Sequence, residues 1–434
     1  MLNKIKNNSF YKSTFILLFG GLFGKVIGFI LKIIVTRSLG SEGIGLYSML
    51  TPTSTLLSVL AVFYYSNAIS KLISEGKHSS KSIIISIIPI SFIINLFFII
   101  ITIIIAPYLS NNLLKESELY LPIIGLSLTM PLISISSIIK GYFWGKQNMG
   151  PYMISNFIEQ VVRLIIISLF INKVMTYGII KTICFISLVN IIGEISSQIV
   201  MIKYFPRFKL SLKDLRINLF EVKNVLSYTI PITLSKIIGT VSYFFEPILI
   251  TNILLYVGYT KNYITSEYGI VNAYALSTLL MPQFFTQNMA TSLIPELSKQ
   301  YSLKNYRLCI KRIKEIVFIS VLIGGISTII ITIFPRFFLN ILYHTDKGID
   351  YIRLLSPFTI LFYIEYPLVN ALQALGEVKV TFKITIITSL IKIISIIIFS
   401  FLKIGMYSLI ISIIINLLSS TLLYYKKLHK LLRI

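Results

Sequence analysis

Charge is scarce in this sequence. Only 13% of its residues are Asp, Glu, Lys or Arg, about half the share that an ordinary soluble domain carries. That scarcity excludes a water-facing globular surface of this size. Cysteine is nearly missing: Cys184 and Cys309 stand too far apart for metal-ligand spacing, and the three histidines, His78, His344 and His429, sit singly in connecting segments. No metal site, cofactor motif or disulfide framework follows from them. Acid is scarcer than base, 16 residues against 40. What is abundant is apolar: 55% of the 434 residues are hydrophobic and the mean hydropathy is +0.84. A bilayer core about 30 Å thick takes roughly 20 apolar residues per helical crossing. The chain therefore has room for about a dozen crossings and none for a separate catalytic module.

Hydropathy places apolar helices near 13–36, 45–70, 82–109, 120–143, 152–171, 182–202, 225–254, 269–294, 315–342, 351–373, 381–402 and 405–425, twelve in all. The first is not read as a cleaved signal, because Lys25 and Lys32 interrupt it and no small-residue cleavage site follows. An even number puts both termini on one side. With the amino terminus in the cytoplasm, 26 basic residues fall in cytoplasmic segments and nine on the opposite side, the other five of the 40 lying inside helices. That bias satisfies the positive-inside rule. It also explains the net charge of +24 as loops facing anionic headgroups, so nucleic acid is not an expected partner.

The basic connection 203–224 divides the chain into an amino-terminal six-helix bundle, 1–202, and a carboxy-terminal one, 225–434, with a short cytoplasmic tail. The halves repeat one another. Gly24-Lys25-Val26-Ile27-Gly28 in the first helix matches Ser235-Lys236-Ile237-Ile238-Gly239 in the seventh. Pro52 with Ser70-Lys71 matches Pro282 with Ser298-Lys299, and Gly145 followed by Arg163 matches Gly376 followed by Lys392. Six crossings per half make these parallel repeats, an architecture of transporters that rock one half against the other around a central site. Pro52, Pro231, Pro247 and Pro282 inside spans would let helices bend.

Nine ionisable residues fall inside the spans: Lys25, Lys32, Glu159, Arg163, Glu194, Lys236, Glu246, Glu365 and Lys392. A charge at mid-bilayer costs at least about 2.5–3.5 kcal/mol, so it faces a cavity or a partner. Lys25 and Lys32 are seven apart and share one face of the first helix. With Lys236 at matching depth, they make a candidate cationic chamber between the halves, suited to a phosphate or pyrophosphate. Snorkelling to the interface is the plain alternative, most of all for Lys32. Glu159 and Arg163, four apart, meet on one helical face, as a structural salt bridge or a substrate contact. Glu246, about three turns beyond Lys236, is a candidate for a coupling cation or proton, or a residue of a wet margin. Glu194, Glu365 and Lys392 have no partner identifiable from sequence. Trp144 reads as an interfacial anchor.

The run Gly141-Tyr-Phe-Trp-Gly145-Lys-Gln-Asn148-Met149-Gly-Pro151, continuing to Glu159-Gln160-Val-Val-Arg163, resembles the helix 4–5 signature of the stage V sporulation protein B and polysaccharide flippase family. Gly24 to Phe29, Leu39 to Tyr47, Ala68 to Leu72, Pro231 to Ser235, Thr291 to Pro295 and Leu372 to Gly376 agree with it. The resemblance implies the multidrug/oligosaccharidyl-lipid/polysaccharide exporter superfamily: an all-α integral membrane protein of two six-helix bundles, MATE-like and V-shaped. It implies a flippase that moves a polyprenyl-pyrophosphate-linked saccharide or peptidoglycan precursor across the bacterial cytoplasmic membrane, with glycosyltransferases or cell-wall synthases as partners. By the same similarity Lys25 matches a basic cavity position of the lipid II flippases, and Lys32 one of the sporulation branch. Members of that branch usually carry fourteen helices, the last two forming a groove for the lipid tail; this sequence shows twelve, ending at Lys426-Lys427-Leu-His-Lys430.

Two other functions fit the same composition. A multidrug exporter of the same fold needs acidic cavity residues for organic cations, whereas the spans hold five bases against four acids. A membrane-embedded polysaccharide polymerase needs a large external loop, and the longest outer connection, 255–268, carries no catalytic constellation. A transporter, not an enzyme, is expected. A scaffold with no transport role has no evident need for lysines inside the membrane.

Overall fold

The structure is a computed structural model that describes residues 9–75, 79–206, 218–292 and 294–432. Residues 207–217 of the expected basic connection 203–224 fall outside the described residues, as do Lys4, Lys6, Lys77 and Leu293 of the sequence patterns. The described chain is nearly all helix, as a chain in lipid must be: no water is there to satisfy a free backbone N–H or C=O, and a helix satisfies them within the segment. In order the helices are α1 (Ser9–Val62), α2 (Tyr65–Ser74), α3 (Ser80–Tyr108), α4 (Tyr120–Ser127), α5 (Met130–Gly145), α6 (Gly150–Met175), α7 (Ile179–Tyr204), α8 (Leu219–Val257), α9 (Lys261–Gly269), α10 (Leu276–Leu279), α11 (Gln283–Ser292), α12 (Ile294–Ser302), α13 (Tyr306–Ile333), α14 (Pro335–Tyr343), α15 (Ile349–Ala374), α16 (Val378–Phe401) and α17 (Tyr407–Leu432). Among the described residues, ten helical stretches are long and apolar enough to cross a membrane.

Twelve apolar segments give ten such stretches for two reasons. The first two segments run through one stretch, Phe23–Ser74. Their boundary is Gly40, where α1 leaves helical geometry at φ 65° and ψ −173°. Only glycine adopts that combination without strain, so the chain changes direction there without a loop. The eighth segment, in contrast, is built from pieces. A π-helical turn at Ile270–Ala275 follows α9, and α10, α11 and α12 succeed it as short helices; Pro282 stands between α10 and α11 and can donate no backbone bond to either. The ninth segment is shorter than its hydropathy: α13 ends at Ile333, and Pro335 opens a separate nine-residue helix, α14. Phe334 before it is pushed to φ −118° and ψ 50°, as a residue preceding proline is.

The contacts divide the chain into two compact units. The first runs up to Leu39 and from Leu50 to Phe244; the second takes Gly40–Met49 and the chain from Phe245 onward. In the first, Tyr65, Ile69, Leu72, Ile83, Ile87, Ile138 and Val225 form a buried cluster where α2, α3, α5 and α8 meet. In the second, Leu297, Cys309, Leu368, Leu372, Tyr424 and Leu428 form another, joining α12, α13, α15 and α17. Residues such as Ile104, Leu169, Ile199, Phe318 and Ile329 stay exposed, which in a spanning helix is the face given to lipid.

The segment Gly40–Met49 packs within the second unit through glycine. A Cβ added at Gly269 would lie 2.6 Å from the Gly45 Cα. The two backbones touch, and no larger residue fits at either position without moving one of them. Ser41 Oγ accepts a hydrogen bond from Lys347 Nζ at 3.1 Å in the same unit.

Candidate functional site

The helix 4–5 signature is first a packing device. Cβ atoms added at Gly141 and Gly145 would lie 2.9 Å from Ser66 Cα and 2.7 Å from Ile73 Cβ, so α5 lies directly against α2. At the end of α5, Lys140 Nζ sits 4.3 Å from the centroids of both the Trp144 and Tyr152 rings and donates to Tyr152 Oη at 3.1 Å. Trp144 therefore helps hold a cation, a contact worth about 0.5–2 kcal/mol, and is more than an anchor at the interface.

Beyond the signature, α6 divides its polar residues between two neighbours. Asn156 and Gln160, one turn apart, turn towards Gly24 and Gly28 of α1; an added Cβ would lie 2.8 Å from Asn156 Oδ1 and 3.6 Å from Gln160 Oε1. On α1, Lys25 and Lys32 follow these glycines by one and four residues. At about 100° per residue they lie together on the flank next to that contact, and both are exposed. Lys236 of α8 is exposed too. All three belong to the first unit.

The adjoining flank of α6, within the same half of the helix surface, carries a largely buried charge cluster. Arg163 Nη2 lies 2.6 Å from Glu159 Oε1 and 3.6 Å from Glu194 Oε1 of α7. Glu194 Oε2 accepts from Ser136 Oγ of α5 at 2.9 Å, and Ser136 Oγ in turn accepts from Gln198 Nε2 at 3.3 Å. Gly193 makes the room: a Cβ there would lie 2.8 Å from Arg163 Cγ. Two carboxylates thus share one guanidinium, joining α5, α6 and α7. The sequence paired Glu159 with Arg163 by spacing alone; Glu194 was invisible as a partner because it stands on another helix.

A second cluster lies in the second unit. Glu246 of α8, 2% exposed, forms a short ion pair with Lys392 of α16 and accepts from Tyr268 Oη of α9 at 2.9 Å. Beside it, Tyr351 Oη of α15 donates to Glu267 Oε2 at 2.5 Å. Glu246 is therefore a buried, fully engaged carboxylate and not a residue of a wet margin. Lys392, 146 residues away in sequence, is its counter-ion, and no periodicity could have signalled that pairing.

With this geometry in hand, comparison with known proteins places the chain. The family model described as polysaccharide biosynthesis protein matches residues 10–301, and the MatE model matches 241–398. Stage V sporulation protein B of Bacillus subtilis is 31% identical over 396 residues, covering 88% of this chain and 76% of that protein. The chain belongs to the polysaccharide biosynthesis protein family.

Other proteins are similar to this chain over comparable lengths. Lipid II flippase MurJ of Bacillus subtilis is 22% identical over 81% of this chain and 70% of that protein. Among solved structures, an inward-facing multidrug resistance MATE transporter of the MOP superfamily superposes with a TM-score of 0.75 at 14% identity, covering 94% and 95% of the two chains. A MOP superfamily transporter from Pyrococcus furiosus, described as having a binding pocket of reversed polarity, gives 0.69 at 15% identity, covering 99% and 97%. These likenesses give the family member its fold: an all-α, multi-pass membrane protein of the MATE type.

Proposed function

We propose that this family member is a flippase that carries a polyprenyl-pyrophosphate-linked oligosaccharide or peptidoglycan precursor across the bacterial cytoplasmic membrane. The observation that carries the reading is the set of exposed lysines inside apolar helices, Lys25, Lys32 and Lys236. A lysine in lipid is costly, and three of them serve an anionic ligand better than they serve the fold. Its relatives bearing the names stage V sporulation protein B and lipid II flippase support the substrate class. Charge-assisted bonds from ammonium groups to phosphate oxygens are roughly twice as strong as neutral ones, and a partly dehydrated cavity strengthens them. The lysines draw in the pyrophosphate while the polyprenyl tail stays in lipid. The cluster of Glu159, Arg163 and Glu194 holds one carboxylate more than its guanidinium answers and is the place where a coupling cation or proton would act, while Glu246 and Lys392 pair with one another. Both termini lie in the cytoplasm, in keeping with the distribution of basic residues.

Reconstitution tests the substrate. Purified protein in vesicles should move a fluorescent polyprenyl-pyrophosphate-linked saccharide between leaflets and leave an organic cation such as ethidium untouched. Transport of the cation without the lipid would move the chain to the multidrug branch. Orientation is checked separately: cysteine at Ser79 should be labelled only from the cytoplasm, and cysteine at Asn262 only from outside.

A further inference from the structure

The second unit carries a feature that the flippase reading does not use. The exposed side of α13 is an apolar stripe, Phe318, Leu322, Ile326, Ile329 and Ile333, at helical spacing. The stripe does not stop where α13 ends. It continues across the proline break onto α14 through Phe334, Phe337 and Ile341, each more than half exposed, while Leu339 and Leu342 on the opposite side of α14 are buried. A short helix with one face in the protein and the other continuous with a lipid-facing stripe lies at the edge of the hydrocarbon.

Beside α14 opens a cleft of about 1000 Å³ that reaches the start of α15. Its charged lining is Arg336, Lys347 and Arg353 against Asp346 and Asp350. Arg336, with its side chain 73% exposed, stands 3.6 Å from Asp346, whose carboxylate also accepts from Asn340 at 2.9 Å. Lys347 is engaged with Ser41. The Arg353 guanidinium has no partner among the described residues and is exposed. The cleft thus has one cation more than its carboxylates neutralise, next to aromatic and aliphatic side chains that belong in the acyl boundary.

We propose that this cleft binds the phosphate headgroup of an anionic phospholipid, Arg353 and Arg336 taking the phosphate while Phe334, Phe337 and Ile341 lie against its acyl chains. The site would fix the position of α14, and with it the start of α15, at the membrane surface.

The test uses the full-length protein purified in detergent, titrated with phosphatidylglycerol, phosphatidylcholine or inorganic phosphate, with bound lipid per protein read by native mass spectrometry. Phosphatidylglycerol should be retained in preference to phosphatidylcholine. The double variant Arg336→Gln/Arg353→Gln should lose that preference, weakening phosphatidylglycerol by at least about tenfold, the factor that one charge-assisted hydrogen bond supplies. Lysine at both positions should restore most of it, which a folding defect would not. Phe337→Asn should weaken both lipids together. Retention of phosphatidylglycerol by the glutamine double variant at the wild-type level would overturn the proposal. So would displacement of the lipid by millimolar inorganic phosphate, which would make the cleft a free-anion site.

Discussion

Each unit buries one cation with carboxylate, and the two arrangements differ in a way that bears on what they can do. In the first unit Arg163 serves two carboxylates, Glu159 and Glu194, on two helices. In the second, Lys392 pairs with Glu246, which also accepts from Tyr268. The second cluster balances in charge among the described residues, and its carboxylate is the more closely covered, Glu246 being 2% exposed. The first carries a carboxylate in excess, and its carboxylates are less closely covered, with the side chains of Glu159 10% and Glu194 13% exposed. A balanced pair holds helices together; an unbalanced one keeps a charge that an incoming cation can answer.

Substitutions should separate these designs, and the largest effect is expected at Lys392. Lys392→Ala strands Glu246 without a counter-ion, and loss of one member of a buried pair costs on the order of 3–5 kcal/mol. The protein should lose most of its folded fraction in fluorescence-detected size-exclusion, whereas Glu246→Leu/Lys392→Met should recover it, because apolar replacement of both partners removes the stranded charge. Next comes Arg163→Ala, which leaves Glu159 and Glu194 facing each other and should lower thermal stability by about 3 kcal/mol. Removing Glu159 along with Arg163 should not restore stability, since Glu194 stays behind uncompensated; full rescue would mean that Glu194 takes no part in the cluster. Gly193→Val should be intermediate, about 1–3 kcal/mol, by driving a side chain into Arg163. The smallest change is expected for Glu194→Gln, about 1 kcal/mol, because Glu159 remains 2.6 Å from the guanidinium. A Glu194→Gln variant as unstable as Lys392→Ala would erase the distinction between the two units.

How far the sequence speaks depends on how local each feature is. Apolar runs are local, so the twelve segments and the all-helical membrane fold were legible in hydropathy. The fold's interruptions were less so. Gly40 belongs to a sequence motif, but its positive φ is a property of the turn it makes, and the ninth segment's hydropathy runs straight through Pro335. Glu159 and Arg163 were legible because four residues on a helix fix their distance. Glu194 joins them across a helix contact, and Glu246 meets Lys392 across 146 residues; no window of sequence contains such a contact. The helix 4–5 signature was legible as a pattern. Its reason, glycines that let α5 lie on α2 and Lys140 held by two aromatic rings, needed coordinates.

The role of Lys25 is tested most directly by measuring lipid flipping in vesicles of equal protein content for wild type, Lys25→Ala, Lys25→Arg and Lys25→Gln. If positive charge on this helix draws in the pyrophosphate, alanine and glutamine should abolish movement of the polyprenyl-pyrophosphate-linked saccharide, and arginine should keep part of it. Membrane abundance should stay unchanged throughout, since Lys25 is exposed. A glutamine variant that flips the lipid at the wild-type rate would contradict the role assigned to the lysines.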